Sequence, residues 1–454
     1  MSTQRESIHG QWSNRWVFVL AATGSAVGLG NIWKFPYITG ENGGGAFVLV
    51  YLMCIAAIGI PIMMAEVLLG RRGRQSPINT MHELAVEEGR SIRWSLLGWS
   101  GVVAGFLILS YYSVIAGWAL AYVYDASSGA FRGLPAEEVK NLFSAMVANP
   151  GALIFWHSLF MLMTMLVVAR GVRRGLEAAV RFLMPALFVL LLVMVGYAIN
   201  TGAFSQGLAF LFTPDFSKIT PEGVLIAMGH AFFTLSLGMG AIMIYGSYMP
   251  KQASIAKTSI IVAMADTVVA LLAGMAIFPI VFANGLEPGA GPGLIFQTLP
   301  IAFGQMPGGS FFGTVFFVLL VFAAWSSAIS LIEPAVAWLV ENRGWSRNKA
   351  SLLCGLATWL MGLGTVFSFN LWSSYTLWGK TFFDLLDFLT SNIMLPLGGL
   401  FIAIFAAWVM KPSSTADELA LAQEGIAYKA WWFLVRFITP LAVTIVFLNA
   451  IGLL

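Results

Sequence analysis

Charge is what this sequence has least of. Acidic and basic side chains make up 10% of its 454 residues, against roughly 25% in an ordinary soluble domain. The balance is only +3, so no basic surface points to nucleic acid. Cysteine is almost absent. Cys54 and Cys354 lie in apolar runs and read as small core residues, not as a disulfide framework. The four histidines, His9, His82, His157 and His230, fall in separate regions without HExxH spacing, and no phosphate loop or GxSxG occurs; a membrane enzyme would need such a constellation. The opening MSTQRESIHG is too polar for a cleaved signal peptide.

What the chain does have is apolar length. Hydrophobic residues make up 59% and mean hydropathy is +0.83, which predicts one polytopic membrane bundle over residues 1–454 without a separate soluble domain. Eleven apolar stretches can be marked, near 16–37, 45–70, 95–124, 151–170, 178–199, 222–249, 258–284, 310–340, 350–369, 379–410 and 430–453. Several exceed the ~20 residues that span a bilayer, implying tilt, breaks or extensions. With the N-terminus inside, 19 of the 24 Lys and Arg residues fall on inside segments. Loop charge therefore predicts a cytoplasmic N-terminus and an outside C-terminus.

Two of these stretches carry their own interruption. WVFVLAATGSAVGLGNIWKFPY places Gly24, Gly28, Gly30 and Asn31 mid-span, and FFTLSLGMG places Ser236, Gly238 and Gly240 in the sixth stretch. Glycine is a poor helix former, and freed backbone groups in hydrocarbon need other partners, so a break is tolerated where it is buried or lines a cavity. The plainer reading is that small residues let helices pack closely. The breaks, however, open spans 1 and 6, each the start of a five-span block. An odd number of spans inverts the second block, so residues 16–199 and 222–410 would form inverted repeats, with 430–453 as an extra helix. Facing broken helices at the midplane are the mark of transporters built this way.

GSAVGLGNIWKFPY followed by ENGGGAF, together with AFFTLSLGMGAIMIYGSY and AAWSSAISLIEP, resembles the neurotransmitter:sodium symporter family, and its bacterial LeuT-type amino-acid transporters most. The resemblance implies an all-α LeuT-type fold with helices 1 and 6 unwound at the midplane, a sodium-coupled symporter in the bacterial cytoplasmic membrane, and no enzymatic activity. Carried over, one sodium site takes the carbonyls of Gly24, Val27 and Ala323 and the hydroxyls of Ser326 and Ser327. Neutral oxygens suit a hard monovalent cation; without the motif, both serines could simply bond back to their own helix. The other site would take the Ala26 carbonyl, Asn31, Thr234 and, where the family usually has Asn, Asp266. An acid this deep costs ~2.5–3.5 kcal/mol on insertion scales. As a fixed negative charge it would replace the chloride that other members need; alternatively it is a structural acid paired with His230 or a serine.

The resemblance places the substrate carboxylate on the amides of Gly28, Leu29 and Gly30, at a half-helix N-terminus, with the Tyr112 hydroxyl. Carbonyls around Ala26, Phe233, Thr234 and Ser236 would take the ammonium, and Ile108, Phe233, Met239 and Leu331 would line the rest. The family's monoamine transporters have Asp at the place of Gly28; a neutral residue there implies a substrate that brings its own carboxylate. Met239, adaptable and favourable against rings, implies hydrophobic amino acids including aromatic ones, with tryptophan among them. Lys34 and Asp387 would form the outer gate, weaker than an Arg fork, above a lid of Phe233 and Tyr112. His9 or Arg5 would pair with Glu341 on the inside, supported by Tyr248, and Glu66 would brace both breaks. Other readings are a proton-coupled permease using Asp266 or Glu333, and an amino-acid sensor.

Overall fold

The computed structural model describes residues 7–288 and 293–453, and among these the regular elements are all helices. Nine are long and apolar enough to cross a membrane unaided: Gly45–Gly73, Ile92–Ser128, Pro150–Ala169, Val172–Ile199, Ile255–Ala283, Gly309–Arg343, Arg347–Ser368, Phe382–Val409 and Ile426–Ala450. These are spans 2 to 5 and 7 to 11. Span 1 is a pair, Arg15–Ala26 and Gly30–Glu41, bent by 52° at the break. Span 6 is a second pair, Pro221–Thr234 and Ala241–Ser247, separated by residues 235–240. Each apolar stretch expected from the sequence is thus helical, and several, such as Ile92–Ser128 with 37 residues, are longer than the ~20 residues that span a bilayer.

The helices sort into two packed groups. Span 3 lies against spans 4, 8 and 9, which form a scaffold, while spans 1, 2, 6 and 7 pack together as a bundle. Small residues let backbones meet between them. A Cβ on Gly70 of span 2 would sit 1.9 Å from the Met243 carbonyl oxygen in the second half of span 6. Pro221 stands in the first turn of its helix, where the missing amide costs nothing. Pro61 lies inside span 2, just after the π-helical stretch Ile55–Gly59, one of the local adjustments by which spanning helices accommodate proline. Short helices cap the bundle outside the spans: Pro77–Glu87, Ala136–Ala148, Phe204–Phe212 and Pro412–Leu419. At 8 to 13 residues they are too short to span a bilayer.

The two breaks are made differently. In the second, Ser236, Gly238 and Gly240 all take positive φ, at 54°, 80° and 74°, the left-handed region that glycine enters freely and serine rarely does. In the first, Val27 is merely extended, at φ −69° and ψ 109°. Its glycines serve clearance instead. A Cβ on Gly24 would sit 2.7 Å from Met184 Sδ of span 5, and one on Gly28 would sit 2.6 Å from Ser327 Oγ and 2.9 Å from the Tyr112 hydroxyl.

Candidate functional site

Between the breaks lies a cleft of ≈ 30 Å³ whose lining contains all eleven residues assigned to substrate by resemblance, together with Ser25 and Ser327. A larger cavity of ≈ 370 Å³ adjoins it, lined among others by Lys34, Tyr37, Glu41, His230 and Asn392. Phe233 borders both. It is the wall between them.

Beside the cleft, three polar side chains from three spans close on one another. Asn31 Nδ2 donates to Asp266 Oδ1 at 2.8 Å, to the Asp266 carbonyl at 3.2 Å and to Thr234 Oγ1 at 3.1 Å. Thr234 Oγ1 donates to Asp266 Oδ2 at 3.0 Å. All three are buried. Two donors on one carboxylate, one to each oxygen, oppose the cost of holding a charge in an apolar interior. His230 is not Asp266's partner. Both its ring nitrogens lack hydrogen bonds, and it packs against Phe35 and Tyr51.

The two serines of span 8 behave differently. Ser326 Oγ bonds back to the Phe322 and Ala323 carbonyls of its own helix, at 3.2 and 3.0 Å. Ser327 Oγ instead reaches across to the carbonyls of Gly24, Ser25 and Val27, at 3.3, 3.2 and 3.1 Å. The extended Val27 turns these carbonyls out of the helix ladder, so one hydroxyl meets three of them. Ser25 joins the two breaks: its carbonyl also accepts from Ser236 Oγ at 2.8 Å, and its hydroxyl donates to Ser330 Oγ at 2.8 Å. The sequence reading missed Ser25 and Ser330. Their signal was there, since Ser25, Ser326, Ser327 and Ser330 are a cluster of small hydroxyls in otherwise apolar spans.

Some expected contacts are replaced by others. The Gly28 amide donates to Asn31 Oδ1 at 3.0 Å and the Leu29 amide to the Tyr112 hydroxyl at 3.2 Å. Two of the amides expected to face a carboxylate thus have partners within the protein, because the first break is narrow enough for Asn31 and Tyr112 to reach it. Lys34 and Asp387 form no ion pair among the described residues. Lys34 Nζ sits 4.6 Å from the Phe233 ring centroid, a cation–π contact, while Asp387 accepts from Ser391 Oγ at 2.9 Å and from the Tyr111 hydroxyl at 3.4 Å. Glu66 accepts from the Gly238 amide at 3.1 Å, so the brace it supplies is to the second break.

On the other side of the breaks the chain is sealed. Trp12 is buried, its amide donating to the Tyr248 carbonyl at 3.0 Å and its indole to the Tyr245 carbonyl at 3.1 Å. His9 Nε2 lies 3.0 Å from Glu341 Oε1, and Glu341 also accepts from the Ser76 amide at 2.8 Å and Asn79 Nδ2 at 2.8 Å. Arg5, the other expected partner, lies outside the described residues. The Tyr248 hydroxyl donates to Glu333 at 2.8 Å, not to Glu341, and Glu333 is ion-paired with Arg347.

A family model described as the sodium:neurotransmitter symporter family matches residues 9–144 and 136–453. The chain is 41% identical to the sodium-dependent transporter YhdH of Bacillus subtilis over 98% of both chains. It is 36% identical to a sodium-dependent transporter of Haemophilus influenzae over 96% of this chain and 97% of that one. Among solved structures, MhsT in complex with L-phenylalanine superposes with a TM-score of 0.89 at 46% identity, over 98% of this chain and all of that one. With helices interrupted at spans 1 and 6 and a match of this length, the fold is of the LeuT type, and the chain belongs to the sodium:neurotransmitter symporter family as a sodium-dependent membrane transporter.

Proposed function

We propose that this transporter imports hydrophobic and aromatic L-amino acids, tryptophan among them, together with sodium and without chloride. The observation that carries the reading is the cleft between the breaks, where Gly28 contributes no side chain and Asp266 stands buried alongside. A cationic amine without a carboxylate would find no acid in the cleft wall itself, whereas an α-amino acid brings its own. The L-phenylalanine bound to MhsT supports the same class.

In this reading the carbonyls gathered on Ser327, with Ala323 and Ser326, hold one sodium ion. Ala26, Asn31, Thr234 and Asp266 hold the other, beside the substrate carboxylate, which Tyr112 and the amides of the first break receive. Ile108, Met239 and Leu331 take the side chain. Admitting it requires Tyr112 to yield its bond with Leu29 and Phe233 to swing from beneath Lys34, since ≈ 30 Å³ has room for about two or three waters and not for an amino acid. Spans 1–5 and 6–10 act as inverted repeats, so the bundle tilts against the scaffold about the site. Lys34 with Phe233 controls the outside and Trp12, His9 and Glu341 the cytoplasmic side, with the N-terminus in the cytoplasm of the bacterial inner membrane.

Uptake of labelled tryptophan and phenylalanine into proteoliposomes tests this directly. Accumulation driven by a sodium gradient, unchanged when gluconate replaces chloride and competed by large apolar amino acids, is expected. Uptake indifferent to sodium would favour a proton-coupled permease; binding without uptake would favour a sensor.

A further inference from the structure

A groove of ≈ 580 Å³ opens between the start of span 3 and the middle of span 10, away from the transport cleft. Arg93 and Trp94 stand at its mouth, and Leu97, Ser100, Leu397 and Phe401 line its length. Its apolar rim faces outward, with Leu96 65% and Phe401 43% exposed. Both helices are long and apolar enough to cross a membrane, so an apolar face exposed here would meet lipid. The volume falls in the range of built ligand sites, about 300–1,000 Å³.

The polar end is equally specific. Arg93 is exposed and makes no ion pair among the described residues; its backbone amide donates to Ser91 Oγ. Arg90 lies three residues before it. Trp94 is fixed edge-on against Phe405, ring centroids 5.1 Å apart, an aromatic of the kind that sits at headgroup level. Basic pockets between spanning helices select anionic headgroups. We infer that this groove binds an anionic phospholipid, one acyl chain lying between spans 3 and 10 and the phosphate against Arg93.

The position gives such a lipid a lever. Gly398, in the groove wall, also abuts the second break: a Cβ there would sit 2.5 Å from the Gly238 carbonyl oxygen. A chain filling the groove therefore presses on the helix that backs residues 235–240.

Native mass spectrometry of the purified transporter with added phosphatidylglycerol, phosphatidylcholine or glycerol 3-phosphate tests the assignment. The expected result is a retained phosphatidylglycerol adduct, with phosphatidylcholine retained at least tenfold less and glycerol 3-phosphate not at all. Arg93→Ala should lower phosphatidylglycerol retention at least tenfold and Arg93→Lys should largely restore it. Ser100→Trp, which fills the groove from its half-buried wall, should abolish retention; Leu397→Trp makes the same test from span 10. Equal retention by Arg93→Ala, or by a folded groove-filling variant, overturns the proposal, as does equal retention of the zwitterionic lipid. Retention of glycerol 3-phosphate would make it a free-phosphate site.

Discussion

Asn31 and Asp266, 235 positions apart in sequence, meet at 2.8 Å beside the first break, and Thr234 of span 6 completes their contact. Three spans of the bundle are thereby tied at one carboxylate. If that charge supplies what chloride supplies elsewhere, Asp266→Asn should slow sodium-driven uptake at least tenfold in chloride-free buffer. Added chloride should recover much of the loss. Chloride-independent residual uptake would show that the carboxylate is structural.

Ser327 and Ser326 are neighbours with different partners, and they should respond differently. Ser327→Ala removes the hydroxyl that meets the carbonyls of Gly24, Ser25 and Val27. The half-saturating sodium concentration should rise about tenfold, which corresponds to about 1.4 kcal/mol. Ser326→Ala, whose hydroxyl already bonds within its own helix, should raise it less. Sodium titrations of uptake at fixed amino acid distinguish the two.

Gly28→Ala is a test of clearance. The added Cβ would meet Ser327 Oγ at 2.6 Å and the Tyr112 hydroxyl at 2.9 Å, so it would displace two hydroxyls that face the cleft. Tryptophan affinity should fall at least tenfold while the protein stays folded, read by binding of labelled tryptophan alongside the thermal unfolding midpoint.

Gly70→Ala tests the packing of span 2 on span 6. Its Cβ would lie 1.9 Å from the Met243 carbonyl oxygen, and backbone cannot rotate away as a side chain can. Overpacking costs typically about 1–3 kcal/mol, so the unfolding midpoint in detergent should drop by several degrees. An unchanged midpoint would show that the two helices separate easily.

Trp12→Ala should loosen the cytoplasmic seal. The indole is 2% exposed and donates to the Tyr245 carbonyl, and loss of a buried Trp costs about 3–5 kcal/mol. Hydrogen exchange over residues 9–26 should accelerate, with little change in span 3. Protection equal to the parent chain would place the seal elsewhere.

Much of the site was legible because its chemistry is unusual for its surroundings. Asp266, Glu66 and the serines of span 8 stand out in apolar runs, and a polar group at that depth has few roles other than function or bracing. The pairings were less legible. Lys34 carries a charge that suggests Asp387, yet the nearby face of Phe233 holds it, and Asp387 is held by Ser391 and Tyr111. A charge announces that it needs a partner without saying which one is within reach.

The sequence by itself determined the membrane class, the extent of the spans and the location of both breaks, since these follow from apolar length and from glycine in the middle of a span. Only the tertiary structure decided what each glycine does. Ser236, Gly238 and Gly240 turn the chain through positive φ, whereas Gly24 and Gly28 leave φ ordinary and instead admit Met184, Ser327 and Tyr112. The difference depends on which helices approach from the far side of the bundle, and those helices lie more than eighty residues away in the chain.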